Sequence, residues 1–226
     1  MTFRRQISET LFLGALLAVV GGFLDAYTYL TRGGVFANAQ TGNMVLLAIN
    51  LARGNFHVLI RYLIPIFAFA AGVLVSEAVR ARFRAHPSIH WRQIIVAAEV
   101  LILLAAAFTP PGTRDNLVNV SVSFVCALQV ESFRKIRGST LATTMCTGNL
   151  RSGTDFLFQF LQRRDRELLK TAFRYYSIIL FFILGAALGV WFVSLMGEWA
   201  VLFCCGLLLI AFFAMFIREN VQGESL

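Results

Sequence analysis

The chain has 226 residues, 58% of them hydrophobic and only 14% charged, against about 45–50% and about 25% in soluble domains. Mean hydropathy is +0.72, and 22 Phe stand beside only 12 acids. Too little polar surface remains to wrap a soluble globule of this size. That excludes soluble enzymes, disordered or collagen-like chains and disulfide scaffolds. It leaves an integral membrane protein built of helices, because backbone in lipid must satisfy its own hydrogen bonds.

The net charge is +8 with a pI near 9.9. In a soluble chain this would point to nucleic acid. Here the basic residues flank apolar segments, where they set orientation and meet anionic headgroups, so no nucleic-acid partner is expected.

Met1–Thr10 carries Arg4 and Arg5, and the apolar run after it lacks a small-residue cleavage site. It reads as a first span, not a removable signal peptide. A span needs about 20 apolar residues. The clear stretches are Leu11–Leu30, Leu59–Glu77, Ile94–Phe108, Leu117–Val130, Tyr176–Met196 and Trp199–Ile217. Gly34–Ala52 holds Asn38, Gln40, Thr41 and Asn43; Ser139–Leu161 holds Thr143, Thr144, Thr147, Asn149, Arg151 and Asp155. Both are too polar to face lipid comfortably as helices. Tyr27, Tyr29, Tyr175, Tyr176, Trp91 and Trp199 fall near span ends, as an aromatic belt does.

Thr41-Gly42-Asn43 recurs as Thr147-Gly148-Asn149, an offset of 106. At that offset Asp25 falls on Glu131, Tyr27 on Phe133, Leu30 on Ile136 and Val35 on Leu141. Ala68 and Gly72 then match Gly185 and Gly189 at an offset of 117, and 94–108 matches 200–214 at 106 again. The chain therefore reads as one membrane domain, 1–226, with repeat one at about 8–109 and repeat two at about 114–218. If the T-G-N segments do not cross, six spans place sixteen Lys and Arg inside and four outside. If they cross, eight spans give twelve against eight. The positive-inside rule favours six spans, with both termini cytoplasmic and the halves inverted, as in transporters. Broken crossing helices and re-entrant hairpins both remain open for the T-G-N segments.

The runs Gly21-Gly22-Phe23-Leu24-Asp25-Ala26-Tyr27 and Ala37-Asn38-Ala39-Gln40-Thr41-Gly42-Asn43 resemble the bacterial YoaK-like membrane protein family. So do Gln129-Val130-Glu131-Ser132-Phe133-Arg134 and Thr143-Thr144-Met145-Cys146-Thr147-Gly148-Asn149. The resemblance implies a polytopic protein of the bacterial inner membrane. It supplies neither a substrate nor a catalytic residue.

The expectation is thus an all-α polytopic bundle of six full spans plus two broken or re-entrant segments. A solute site would be lined by Asn38, Thr41, Gly42, Asn43, Thr144, Thr147, Gly148 and Asn149. The glycines permit close approach, and the Thr and Asn side chains suit helix starts at Asn43–Ala52 and Asn149–Leu161. Each half-helix N-terminus would bring free N–H groups and a positive dipole end to the bilayer middle. Asp25 and Glu131 would tune the charge of that site. The bland alternatives are helix packing through small and amide residues, an Asp25–Arg32 pair, and a Glu131 paired with Arg134 or Lys135 on its own helix. Glu99, with no basic neighbour in its segment, must face the bundle or be protonated by desolvation.

Cys126, Cys146, Cys204 and Cys205 form no C-x-x-C pair and read as buried, inert thiols. No metal site, cofactor or catalytic constellation is expected. The best functional reading is a secondary transporter or channel-like facilitator for a small polar solute, with proton linkage an option. The alternative is a non-transporting membrane scaffold or sensor. The expected partners are the lipid bilayer and the solute. Gly185 and Gly189 suit packing within one chain or between two, which leaves a homo-oligomer open.

Overall fold

The structure is a computed structural model and describes residues 5–6, 10–84, 90–112, 114–136, 139–140, 142–216 and 218–219. Leu141 of the repeat comparison and Ile217 at the end of the last apolar stretch lie outside these residues. The fold is all-helical: α1 (Leu11–Thr31), α2 (Gln40–Ala52), α3 (Phe56–Phe83), α4 (Trp91–Ala107), α5 (Asp115–Ser132), α6 (Cys146–Arg163), α7 (Arg166–Met196), and α8 (Val201–Ala214) after a 3-10 turn at Gly197–Ala200. Two-residue backbone pairings join Arg5–Gln6 to Arg218–Glu219 and Lys135–Ile136 to Ser139–Thr140.

Helix starts follow local chemistry. The Thr10 hydroxyl accepts from Leu13 N at the start of α1 (3.4 Å). His90 and Gln93 form a reciprocal capping box at α4, and Asp165 accepts from Glu167 N (2.9 Å) at α7. Each partner occupies a donor that a helix start leaves orphaned. The helices α3 and α7 run past the apolar stretches expected for them, to Phe83 and back to Arg166. Helical backbone satisfies itself beyond the lipid boundary too, so apolar length marks the membrane crossing and not the helix end.

Among the described residues, three helical stretches are long and apolar enough to cross a membrane: Leu11–Thr31, Phe56–Phe83 and Arg166–Ala214, the last containing α7, the 3-10 turn and α8. Of the most apolar window in α1, 72% is buried, against 11% in α3. Helix α1 is therefore the central post, and α3 turns most of its surface outward. The core joins Leu17, Phe23 and Tyr27 of α1 to Leu103 of α4, Val122 of α5 and Leu208 of α8.

Glycine sets the two closest helix contacts. A Cβ on Gly22 would strike the Phe182 carbonyl of α7, and one on Gly185 the Val19 carbonyl of α1. Gly189 faces Phe23 O at 3.0 Å from its would-be Cβ. The Gly185/Gly189 pair thus packs α7 onto α1 within one chain. Gly72 does the same for α3 on α5, with Phe124 O and the Ala127 Cβ each at 2.7 Å.

The aromatic-belt expectation fails for three residues. Tyr27 is fully buried, and Tyr175 and Trp91 are buried too, while Tyr29 and Trp199 stay exposed.

Gly185→Val should lower the thermal midpoint in detergent, at a cost of about 1–3 kcal/mol, because the obstructing atoms are backbone. Gly206→Ala has open space around it and should be neutral or add up to ~1 kcal/mol. Equal midpoints for the two variants would contradict the contact.

Candidate functional site

Helix α1 carries Gly21, Asp25, Thr28 and Arg32 at i, i+4, i+7 and i+11, which places them on one face. After Arg32 the chain turns back along that face in non-helical conformation through residues 33–39. Such a segment must find partners for its own N–H and C=O groups. Ala37 N donates to the Thr28 hydroxyl (3.3 Å) and Asn38 N to Asp25 Oδ1 (3.0 Å). The Asn38 side chain donates to Gly21 O (3.3 Å). The segment therefore reaches the middle of α1 before α2 begins.

Helix α5 supplies the other wall. Its Asn119, Ser123, Cys126 and Gln129 recur at i, i+4, i+7 and i+10. Ser123 donates to Ala37 O (2.5 Å), and Gln40 Nε2 donates to Ala37 O (2.8 Å) and to Ser123 Oγ (3.2 Å). Gln129 Nε2 donates to Leu17 O of α1 (3.0 Å) and to Thr143 Oγ1 (3.1 Å). The Cys126 thiol donates to Thr144 Oγ1 (3.8 Å). A Cβ on Gly21 would meet the Thr144 methyl at 2.6 Å and Asn38 Nδ2 at 3.4 Å. The two chain breaks, Asn38 from one and Thr144 from the other, thus converge at Gly21.

The T-G-N triplets sit differently from the expectation. They lie inside the first turns of α2 and α6, which begin three residues earlier, at Gln40 and Cys146. The cap residues are Ala39 and Met145, with no side-chain capping bond. Neither Thr41, Asn43, Thr147 nor Asn149 caps its helix. Instead the asparagines brace the incoming strand. Asn43 Nδ2 donates to Phe36 O (3.3 Å) and Gln40 Oε1 (3.1 Å). Asn149 Nδ2 donates to Ala142 O (2.6 Å), and its Oδ1 accepts from Ala142 N (3.4 Å). Both asparagines are buried, whereas Thr41 and Thr147 are exposed. A Cβ on Gly42 or Gly148 would meet nothing within 4 Å.

The acids separate. Asp25 is 8% exposed and sits at the convergence. Arg32 is fully buried and binds Asp115 (3.3 Å) and the Tyr27 hydroxyl (2.9 Å), so the Asp25–Arg32 pair does not form. Glu131 stands away from the convergence and pairs with Arg134 (2.8 Å). Glu99 is fully buried, and neither of its oxygens has a hydrogen-bond partner among the described residues. Ser123, Gln129, Thr143 and Arg32 were missed as site residues. The polar stripe on α5 was the available signal for Ser123 and Gln129.

Removing Asp115 should leave the Arg32 guanidinium buried without its charge partner. Asp115→Ala should cost about 3 kcal/mol in thermal or denaturant unfolding. Arg32→Met should cost less than half of that, because Asp115 keeps Gly112 N (3.0 Å) and Tyr27 keeps Glu198 O (3.1 Å). The reverse order of the two costs would refute this account of the pair.

The chain was compared with known proteins. The family described as "Protein of unknown function (DUF1275)" matches residues 13–214. The chain is 25% identical over 177 residues to the UPF0700 transmembrane protein YoaK of Bacillus subtilis (strain 168), covering 74% of this chain and 77% of that protein. No solved structure matches. The apolar helices and the transmembrane relative agree, and the chain is a membrane protein belonging to the DUF1275 family.

Proposed function

We propose that the protein passes a small polar solute across a bacterial cytoplasmic membrane, as a secondary transporter or channel-like facilitator with proton linkage through Asp25. The observation that carries this reading is the meeting of two non-helical tips, Asn38 and Thr144, at Gly21 in the middle of the most buried helix. Irregular backbone at membrane depth is tolerated where it meets protein or a wet path.

The reading includes a topology of six crossings, α1, α3, α4, α5, α7 and α8. The segments holding α2 and α6 enter and leave by the same face. Several contacts support it. Arg61, near the start of α3, bonds Gly33 O at the end of α1, so the chain between them begins and ends at one level. Ser76 of α3 meets Ser132 at the far end of α5 (2.9 Å). In this arrangement the sixteen-to-four distribution of Lys and Arg sets both termini in the cytoplasm. The pairing of Arg5–Gln6 with Arg218–Glu219 keeps the ends together.

The halves are read as inverted repeats. Exchanging α1 with α5, α2 with α6, α3 with α7 and α4 with α8 leaves the main packing scheme unchanged. Helix α1 packs on α7 as α5 packs on α3; α2 packs on α3 as α6 on α7; α1 packs on α8 as α5 on α4. The starts of α2 and α6 keep the 106 offset. Such halves are frequent in transporters.

A scaffold or sensor is the second reading, favoured by the brace geometry of Asn43 and Asn149. Flux separates the two. In proteoliposomes, stopped-flow light scattering under gradients of glycerol, urea and acetate should detect entry above that of empty vesicles for at least one solute. Asp25→Asn keeps an acceptor for Asn38 N and removes the charge; Thr144→Val keeps the methyl at Gly21 and removes the hydroxyl. Both should stay folded and reduce that flux about tenfold or more, equivalent to about 1.4 kcal/mol on the barrier. Transport by neither wild type nor variants would favour the scaffold.

Topology has its own test. In a chain with its four cysteines replaced by alanine, Arg53→Cys and Arg164→Cys should react with an impermeant maleimide from opposite sides. Labelling from the same side would reject the six-span arrangement.

A further inference from the structure

The elbow between α6 and α7 holds a cleft of about 420 Å³, lined by Phe160, Arg164, Arg166, Leu169, Lys170 and Phe173. Three of these residues are basic and three apolar. The solute path does not use them.

The position of the cleft follows from helix length. Helix α7 has 31 residues, about 46 Å at 1.5 Å per residue, against a hydrocarbon core of about 30 Å. Its charged residues Arg166, Glu167, Lys170 and Arg174 all precede Tyr175, and the rest of the helix to Met196 carries no charge. The first two to three turns of α7 therefore stand at headgroup depth, and the apolar length starts after Arg174. The cleft lies at that boundary.

Two acids, Asp165 and Glu167, stand beside its three cations. Glu167 holds Lys170 (2.7 Å) in an exposed pair, and such pairs contribute little. Asp165 is turned onto the N-terminus of α7 through Glu167 N (2.9 Å). Arg164 takes the left-handed conformation at φ 56°, which ends α6 and makes the elbow.

We propose that this cleft binds an anionic phospholipid, its phosphate held by Arg164, Arg166 and Lys170 and an acyl chain lying along Phe160, Leu169 and Phe173. Charge complementarity with the cations at the rim selects a lipid anion, and the mostly apolar lining selects a lipid over a free ion. This proposal is independent of what crosses the membrane.

The test reconstitutes the full chain in vesicles of equal parts phosphatidylcholine and phosphatidylglycerol. Native mass spectrometry then counts the lipids retained after release into detergent. Wild type should keep phosphatidylglycerol in preference to phosphatidylcholine. Arg164→Gly suits the left-handed backbone, so it folds while removing one cation, and should weaken retention about fivefold. Arg164→Gln/Arg166→Gln/Lys170→Gln should abolish the preference, while Arg53→Gln, an exposed cation elsewhere, should leave it intact. A preference that survives the triple change overturns the proposal. So does an equal loss in the Arg53→Gln control, or displacement of the lipid by inorganic phosphate alone, which would mark a simple anion site.

Discussion

Everything in the middle of this bundle answers to one constraint: main chain that leaves helical geometry inside an apolar protein must be hydrogen-bonded by something else. The free N–H and C=O groups of such a segment cost several kcal/mol each in hydrocarbon. Among the described residues two segments incur that cost, 33–39 and 142–145. The partners come from polar stripes on α1 and α5, helices whose other faces are apolar core. Asp25 and Thr28 receive the N–H groups of Asn38 and Ala37, while Ser123 and Gln40 meet the Ala37 carbonyl. The buried polar residues are therefore the structural counterpart of the chain breaks, and neither feature is stable without the other.

The same constraint explains the glycines. Helix α1 must carry a polar face for the returning chain and still lie tightly against α7. Gly22 and Gly185 remove side chains at the contact, so that backbone meets backbone. Close approach of this kind replaces the hydrophobic drive that lipid does not provide between helices. Gly21, one residue earlier, does another job: it leaves room for the Asn38 amide and the Thr144 methyl on the polar face. Two adjacent glycines thus serve two different neighbours, about 100° apart around the helix.

Much of this was legible in the sequence. Composition alone required membrane helices, and the repeated T-G-N triplet located both broken segments, because an amide-rich stretch cannot face lipid as a plain helix. The small-residue pair at Gly185 and Gly189 was readable as a helix contact. The roles of individual residues were less legible. The sequence suggested caps at Thr41 and Asn43, but α2 begins at Gln40 and Asn43 reaches back to Phe36 O. A helix N-terminus that meets neighbouring protein needs no side-chain cap of its own to become the start. The pairing of Arg32 with Asp115 spans 83 positions, and nothing local distinguishes Arg32 from an ordinary interfacial arginine. The stripe on α5 was visible by spacing alone, yet spacing does not say which neighbour a polar face will meet.

The two tips do not carry the same chemistry. At the second tip Gln129 uses its amide N–H groups on Leu17 O and Thr143 Oγ1, which ties α1, α5 and the returning chain together. Neutral donors there meet neutral acceptors, and the arrangement is closed. At the first tip a carboxyl takes that place. Asp25 accepts from main chain, retains 8% exposure, and stands beside an Asn38 side chain whose Oδ1 has no hydrogen-bond partner among the described residues. Buried acceptors without donors are rare in folded proteins, and this one lies where the two tips meet. On the proposed transport reading, the solute or proton therefore engages the first tip, and the second acts as the rigid wall against which it does so.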